Sequence, residues 1–582
     1  MINWQSRYAD VIVLDFEFIA EDGEKPRPVC LVSKYLKSGI QKMLWLTEET
    51  KFPFPDGDHF LFVGYFASAE WNCFLALNWD PPRHVIDLYA EYRLLTNGLS
   101  GFAKSLGFSL VVAAEAFDIT TMESFYKTDM RDLIMSGGPW SEAEKNKILD
   151  YCAMDVAITG KLFKRMWPNI ASGSIALNQA LFRGRYTVSV AKMEFTGVPI
   201  DSGLFNDLLT HWPQLKEQLI GYVDQDYGIY EHSTFKQAKF ENWVAQQKIP
   251  WPTTDKGNLK TDEATFRQIS KSYPQVATLH ELRVTLSKMS TLKLCVGRDG
   301  RNRTLLSPFA SKTGRNQPST TKFIFGNSAW LRSLIKPDEG FGLAYIDFSS
   351  QEIAIAAALS GDQKMWDAYM SGDPYMAFAI QAGLAPKGAN KSTHKEIRNR
   401  CKQIVLGVGY GMGAEALARS AGIHKITARK LLNSHKQTYR VFWQWAEANQ
   451  MRALMGQSLE TPLGWKIKLR NDPDPNDRSL LNWPMQSTGS DIMRLAACEL
   501  TENGIEVCCP IHDAFLIAFP LAEEAKIIRE ASQIMVNASE SVMGRGYACR
   551  VDAEIVRYPS RYMDERGESM FSKITTLLDK LK

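Results

Sequence analysis

The sequence predicts a multidomain α/β fold, and three observations carry that expectation. The chain has 582 residues; at about 150 residues per domain that makes roughly four folding units, each long enough to bury a core. The β-branched, apolar run Val11-Ile-Val-Leu-Asp-Phe-Glu-Phe18 opens the chain as a central strand that ends in carboxylates. From about residue 305 onward, strand and helix patterns alternate again after a mostly helical stretch.

Taken in order, Val29 to Tyr35 and Leu61 to Tyr65 read as further strands of the first unit. Helical patterns lie near 69–77, 99–106 and 141–166, with Trp167-Pro168 closing the last. Residues 171–200 form a bridge. Residues 202 to about 300 are helical by pattern, interrupted near Pro252-Thr-Thr-Asp-Lys-Gly257. The tail 571–582 is short and amphipathic, and the sequence assigns it no role. The nine cysteines form no C-x-x-C pair, which fits buried thiols in a reducing cytoplasm. No run of about 18 apolar residues is present, so no membrane span is expected. Between Glu281 and Lys322 nine basic residues face two acids, a local charge of +7 that would attract phosphate backbones.

Candidate chemistry begins at Asp15 and Glu17. Two apart on a strand, they point to one face and repel each other unless a cation holds them. At the far end of the same unit, Tyr151 and Asp155 share one face of a helix by their i, i+4 spacing. In the second half, Phe341-Gly-Leu-Ala-Tyr-Ile-Asp347 is a strand running into an acid, followed by an Ala-rich helix. Thr393 and Glu396 suggest a capping box. Arg398, Lys402, Leu406 and Tyr410 then recur every four residues, cations first and an aromatic last, a stripe that can hold a triphosphate and stack a base. The glycines at 407, 409, 411 and 413 lie at a helix end without a P-loop Lys-Ser/Thr, which rules out a nucleotide-binding loop. Two apolar runs flank His512-Asp513, a hairpin that presents a carboxylate at its turn.

Asp15-x-Glu17 with Tyr151-x-x-x-Asp155 resembles the first and third motifs of DEDD-type 3′→5′ exonucleases. The resemblance implies that the acids hold two divalent ions and the tyrosine orients the attacking water. The middle motif matches Gly64-Tyr-Phe-Ala-Ser-Ala-Glu-Trp71. Glu70 is the best candidate for the fourth acid there, with Asp87 ranked lower, and Phe66 stands where an Asn is usual. The segments around Asp347, Arg398–Tyr410 and His512-Asp513 resemble motifs A, B and C of family-A DNA polymerases. By that resemblance Asp347 and Asp513 hold metal, and Arg398, Lys402 and Tyr410 grip the incoming nucleotide. Glu352 blocks a ribose 2′-OH, and His512 lies beside the primer end. Thr313-Gly-Arg315 matches the motif whose arginine contacts the primer minor groove. Arg478, Asn482 and Gln486 match a duplex-contacting segment. Met193 to Asp201 matches the start of the polymerase domain, and Pro252 to Phe266 a thumb segment.

The resemblance implies an RNase H-like exonuclease domain (1–170), a connecting segment leading into the palm (171–201) and a thumb (202–304). Palm with motif A (305–362), fingers with motif B (363–455) and palm with motif C (456–582) follow. It also implies two Mg²⁺ ions per site, with Mn²⁺ as a substitute, and primer-template DNA and deoxynucleoside triphosphates as partners of a monomer in the cytoplasm. No segment matching a 5′-nuclease precedes the exonuclease, a layout resembling phage replicases. Some of those enzymes copy genomes carrying 2-aminoadenine, so the base set stays open. Three departures stand out: Ala514 where motif C usually has Glu, Leu406 where Phe or Tyr is usual, and Tyr375 where a phosphate-contacting His is common. A single-subunit RNA polymerase shares the palm, but Glu352 and the exonuclease motifs argue against it. A nuclease with a degenerate polymerase half, or a DNA-binding scaffold, has no reason to keep Asp347, Lys402 and Asp513.

Overall fold

The computed structural model describes all residues except 1, 56, 100–106, 122–123, 410 and 469–476, and the side chains of 124–127, 271, 477 and 478 are left aside. The helix expected at 99–106 and the side chains of Tyr410 and Arg478 therefore lie outside the description.

Five strands build the first sheet: β1 (Asp10–Ile19), β2 (Arg27–Tyr35), β3 (Gln41–Trp45), β4 (Phe60–Gly64) and β5 (Val85–Asp87). Their order is β3-β2-β1-β4-β5, with β2 antiparallel to β1 and β4 parallel to it. β1 is central and covered on both faces, as its unbroken apolar run requires. Its period-2 alternation sorts the residues. Val11 and Val13 pack with Ile148 and Cys152 of a long helix, α3 (Glu142–Ile170), while Ile12, Leu14 and Phe16 pack with Trp71 and Phe74 of α1 (Ser68–Ala76). The odd-numbered Asp15 and Glu17 thus share the α3 side of the strand. A further helix, α2 (Leu88–Thr96), follows β5 directly.

Helix α3 begins with a full capping box between Ser141 and Glu144. It does not stop at Trp167-Pro168, as the sequence suggested, but runs on to Ile170. In the last turn a proline costs one backbone bond, and Trp167 offsets it by burial and by donating its indole N–H to the Ile2 carbonyl at 2.7 Å. The bridge is itself a helix, α4 (Ser174–Thr196). Next comes α5 (Ser202–Asp224), whose apolar face joins the core of the second half, and then the helices Gln237–Gln246, Glu263–Ser272 and Ala277–Ser290 around a separate core with Phe240, Trp243 and Phe266.

The second sheet is antiparallel. Its strands β6 (Phe341–Phe348), β7 (Glu506–Ile511), β8 (Ala514–Pro520) and β9 (Val551–Arg557) lie in the order β7-β8-β6-β9. Helix α6 (Gln351–Ser360) leaves β6, and α7 (Pro374–Gln381) and α8 (Lys395–Gly409) follow. α8 starts at Lys395 without the capping box expected of Thr393 and Glu396. The Thr393 hydroxyl bonds back to Asn390, whose own side chain accepts from the Ser392 and Thr393 N–H groups. α9 (Asp477–Glu502) packs on α10 (Glu524–Met543). The C-terminal tail forms α11 (Glu568–Asp579), which packs on α5 and buries Met570, Phe571, Ile574 and Leu578. No described helix is long and apolar enough to cross a membrane.

Candidate active sites

At the first sheet the structure brings together every acid the sequence singled out except Asp87. Donor atoms of Asp15, Glu17 and Cys152 lie within 4.8 Å of one another, and the Cys152 thiol donates to the Asp15 carbonyl at 3.2 Å. Glu70, 4% exposed, reaches in from α1 and accepts the Phe16 N–H at 2.8 Å, between the two strand acids. Burial raises the Glu70 pKa well above the carboxylate range, and the Asp15 and Glu17 charges add to it. On α3, Tyr151 is buried beside Asp155. Burial and then the Asp155, Glu17 and Asp15 charges raise its phenol pKa, so it stays protonated and can donate.

Asp87 has a different task. Its Oδ1 accepts the Tyr89 N–H at 2.9 Å, capping α2, and the Phe66 N–H at 3.0 Å. The second bond holds Phe66 in the left-handed region (φ 62°), where its ring meets Tyr89 edge-on at 5.0 Å. Burial lifts Asp87 to about 7.

At the second sheet, β7 and β8 form the expected hairpin, with His512 (φ 53°) and Asp513 at its turn. The Asp513 carbonyl accepts the Phe348 N–H at 3.1 Å, which fastens the turn to the end of β6. Asp347 and Asp513 are thereby neighbours. Burial first, and then the Asp513 carboxylate beside it, push Asp347 up to about 7. Two carboxylates held this close want a cation or a shared proton.

α8 packs on α7. Arg398 pairs with Asp373 at the N-cap of α7, and Arg398 and Lys402 lie 5.4 and 5.8 Å from the Tyr375 ring centre. Glu352, in the first turn of α6, stands 4.0 Å from Arg315 and lines a small crevice with Leu406. Arg315, Asn316, Phe323, Met493, Arg494 and His512 line a larger cavity of about 460 Å³. Asn482 is buried and Gln486 half-buried on α9.

Sequence reasoning missed what holds the Arg315 turn. The Lys312 carbonyl accepts from Trp465 Nε1 (3.1 Å), Trp483 Nε1 (3.0 Å) and Asn97 Nδ2 (2.8 Å). Buried Arg494, paired with Asp491, donates to the Gly314 carbonyl at 2.8 Å. Gly314 has φ 75°, and a Cβ there would stand 2.9 Å from Arg494 and 3.1 Å from Trp465, so only glycine fits. None of these partners is near the turn in sequence; the one visible signal was Gly314 itself.

The basic stretch 281–322 needs correcting. Five of its nine cations pair with acids of this chain. Arg298 pairs with Glu24, Arg301 with Asp338 and Glu506, and Lys322 with Asp22. Arg303, with its side chain 7% exposed, binds Asp299 and the carbonyls of Phe195 and Gly23. Asp22, Gly23 and Glu24 form the β1–β2 turn, so these cations clasp the first sheet to the second half. Gly23 (φ 85°) lets the turn dock, since a Cβ there would meet the Val296–Gly297 backbone at 2.5 Å.

A four-stranded antiparallel sheet with an acid at a hairpin turn beside one on the neighbouring strand, in a chain that also carries a cation-bearing helix, makes this a polymerase-type α/β fold. The chain belongs to DNA polymerase family A, whose model matches residues 206–554. It is 23% identical over 540 residues to the thermostable DNA polymerase I of Thermus filiformis, covering 84% of this chain and 62% of that one. It is 24% identical over 423 residues to DNA polymerase I of Aquifex aeolicus, covering 66% and 71%. To the DNA polymerase of Mycobacterium phage D29 it is 23% identical over 415 residues, covering 68% and 66%. The chain thus spans 62% of the length of the Thermus filiformis relative. In fold it is similar to the POL domain of Pol1 from M. smegmatis, solved with DNA primer-template and dNTP, at a TM-score of 0.69 and 16% identity over 94% of both chains.

Proposed function

We propose that this chain is a template-directed DNA polymerase with its own 3′→5′ proofreading exonuclease. It acts as a monomer on primer-template DNA in the cytoplasm of a host cell, in phage genome replication. In this reading residues 1–170 are the exonuclease, 202–304 the thumb, 363–455 the fingers, and 305–362 with 456–582 the palm. The observation that carries it is the Asp347–Asp513 pair, together with the Arg398–Lys402 stripe of α8, in a chain of this family.

The donor sets fit a hard divalent cation. Asp347 and Asp513 offer only carboxylate oxygens, as Mg²⁺ prefers, and their mutual repulsion is what such an ion relieves. When bound, the ions lower the pKa of the primer 3′-OH and brace the triphosphate. Lys402 and Arg398 neutralise charge that develops on the phosphates. The Tyr375 ring lies against both cations. Glu352 fills the space that a ribose 2′-OH would need. Arg315, Asn482 and Gln486 face the duplex, and His512 the primer end; Tyr410 and Arg478 keep the roles their motif matches imply. At the first sheet Asp15, Glu17, Glu70 and Asp155 hold the ions of the exonuclease, and Tyr151 donates to the attacking water.

The test is extension of a labelled primer with and without Mg²⁺. Template-matched extension that needs the ion supports the reading. Extension that proceeds equally in excess chelator refutes it.

A further inference from the structure

Across the palm-side sheet, Asp347 has one direct neighbour on each flank. On β8 it is Ala514, and on β9 it is Asp552. Residues directly opposed in an antiparallel pair project from the same face, with Cβ atoms about 4.5–5.5 Å apart. The row across β8, β6 and β9 therefore reads methyl, carboxylate, carboxylate, with Asp513 at the β7–β8 turn beside its start. Asp552 is exposed, and the Ser349 hydroxyl donates to its Oδ2. Ser349 is in turn held by its backbone N–H, which bonds to the Arg550 carbonyl at 2.9 Å. The carboxylate is thus tethered from the β6 side instead of swinging freely into solvent.

Resting on the polymerase reading above, we propose that Asp552 is a third metal-facing carboxylate of the palm site, a ligand to one of its divalent ions that supplies from β9 what Ala514 cannot supply from β8. Like charges directly opposite each other in a sheet are destabilising. Here the repulsion is compounded, because Asp347 already has Asp513 beside it. Asp552 has no cationic partner among the described residues, and its one bond is to a neutral hydroxyl. A strand position that only needed solvation would be filled at less cost by Ser, Thr or Asn. Divalent ions in front of the row turn the same three charges from a cost into a binding site. A third acid also suits two ions better than four oxygens from two side chains do, since Mg²⁺ seeks six ligands.

The experiment uses the full chain carrying Asp15→Ala and Asp155→Ala, so that the ions of the first sheet are removed from the count. Mn²⁺ binding is read by electron paramagnetic resonance in the complex with primer-template DNA, a dideoxy-terminated primer and the matching dNTP. Asp552→Asn should weaken binding of one Mn²⁺ by at least about tenfold, and Asp552→Glu should restore most of it. Asp347→Asn is the reference and should lose binding altogether. Without metal, Asp552→Asn should melt at the same temperature as its parent or higher, because a repulsion is gone, which shows that the variant folds. If Asp552→Asn binds Mn²⁺ like its parent while Asp347→Asn does not, the proposal is overturned and the polymerase reading stands. If Asp347→Asn also binds normally, the palm site itself has been misread and both fall.

Discussion

At the first sheet the acids come from three separate elements. Glu70 is buried and tied to the Phe16 N–H, while Tyr151 and Asp155 approach along α3. At the second sheet Asp347 on β6 and Asp513 at the adjoining β7–β8 turn are brought together by the Phe348–Asp513 backbone bond. The first cluster is built by packing between layers and the second by strand register. A site built by packing tolerates change in its contact residues, such as Phe66, because Asp87 fixes the backbone there whatever side chain it carries. A site built by register needs only its strands to pair, so an acid lost at 514 can be answered from the opposite flank. The two sites should therefore fail independently and for different reasons.

The largest effect that would break this comparison lies at the first sheet. Asp15→Ala, Glu70→Ala and Asp155→Ala should each lower 3′→5′ degradation of single strands by three or more orders of magnitude, with primer extension kept. Asp87→Ala should keep the nuclease and lose stability, through its cap and its bond to Phe66. An inactive Asp87→Ala that melts like wild type, beside an active Glu70→Ala, would mean that the middle motif was aligned wrongly. At the second sheet, Glu352→Ala should lower discrimination against ribonucleotides roughly a hundredfold. An unchanged ratio of deoxy- to ribonucleotide incorporation would remove Glu352 as the gate.

Much of both sites was legible because the acids sit on strong local patterns. Val11–Phe18 shows its period of two, and the two apolar runs around His512-Asp513 show the hairpin. The rest depended on partners far away in the chain. The charge of +7 between Glu281 and Lys322 was counted correctly, but Asp22, Glu24, Asp338 and Glu506 offset part of it from outside the counted window. The three donors on the Lys312 carbonyl come from Asn97, Trp465 and Trp483, spacings that no periodicity reveals. Likewise, Thr393 had a better local partner in Asn390 than in Glu396.

The clasp yields a smaller effect. Arg303→Ala should destabilise the chain by on the order of 2 kcal/mol, less than a fully buried pair would cost because Asp299 is half exposed. The slope of log K for duplex binding against log salt should move by less than the roughly 0.9 expected of one lost phosphate contact. A full unit of change on removing Arg303 would return it to the DNA interface.

A pH-dependent effect concerns Glu194, buried at the junction of the two halves. It accepts the Leu306 N–H at 2.6 Å and the Asn72 side-chain N–H at 2.9 Å, yet burial still lifts it to about 7. A raised carboxyl binds its proton more tightly in the folded state. Its contribution to stability is therefore full below about pH 4.5 and is lost as pH rises through about 7, a change on the order of 3 kcal/mol. Thermal melts of the metal-free chain should fall across that window, and Glu194→Gln should flatten the fall. Parallel curves for the two proteins would show that Glu194 does not titrate there.

The central claim, two metal sites on two sheets with separate chemistries, is tested most directly by assaying both activities in one preparation of Asp347→Ala and of Asp513→Ala. Primer extension should drop by three or more orders of magnitude, roughly 4 kcal/mol of transition-state stabilisation. Degradation of single strands from the 3′ end should stay within about twofold of wild type. Extension at a tenth of the wild-type rate in both variants, or a nuclease that falls together with extension, would contradict the account.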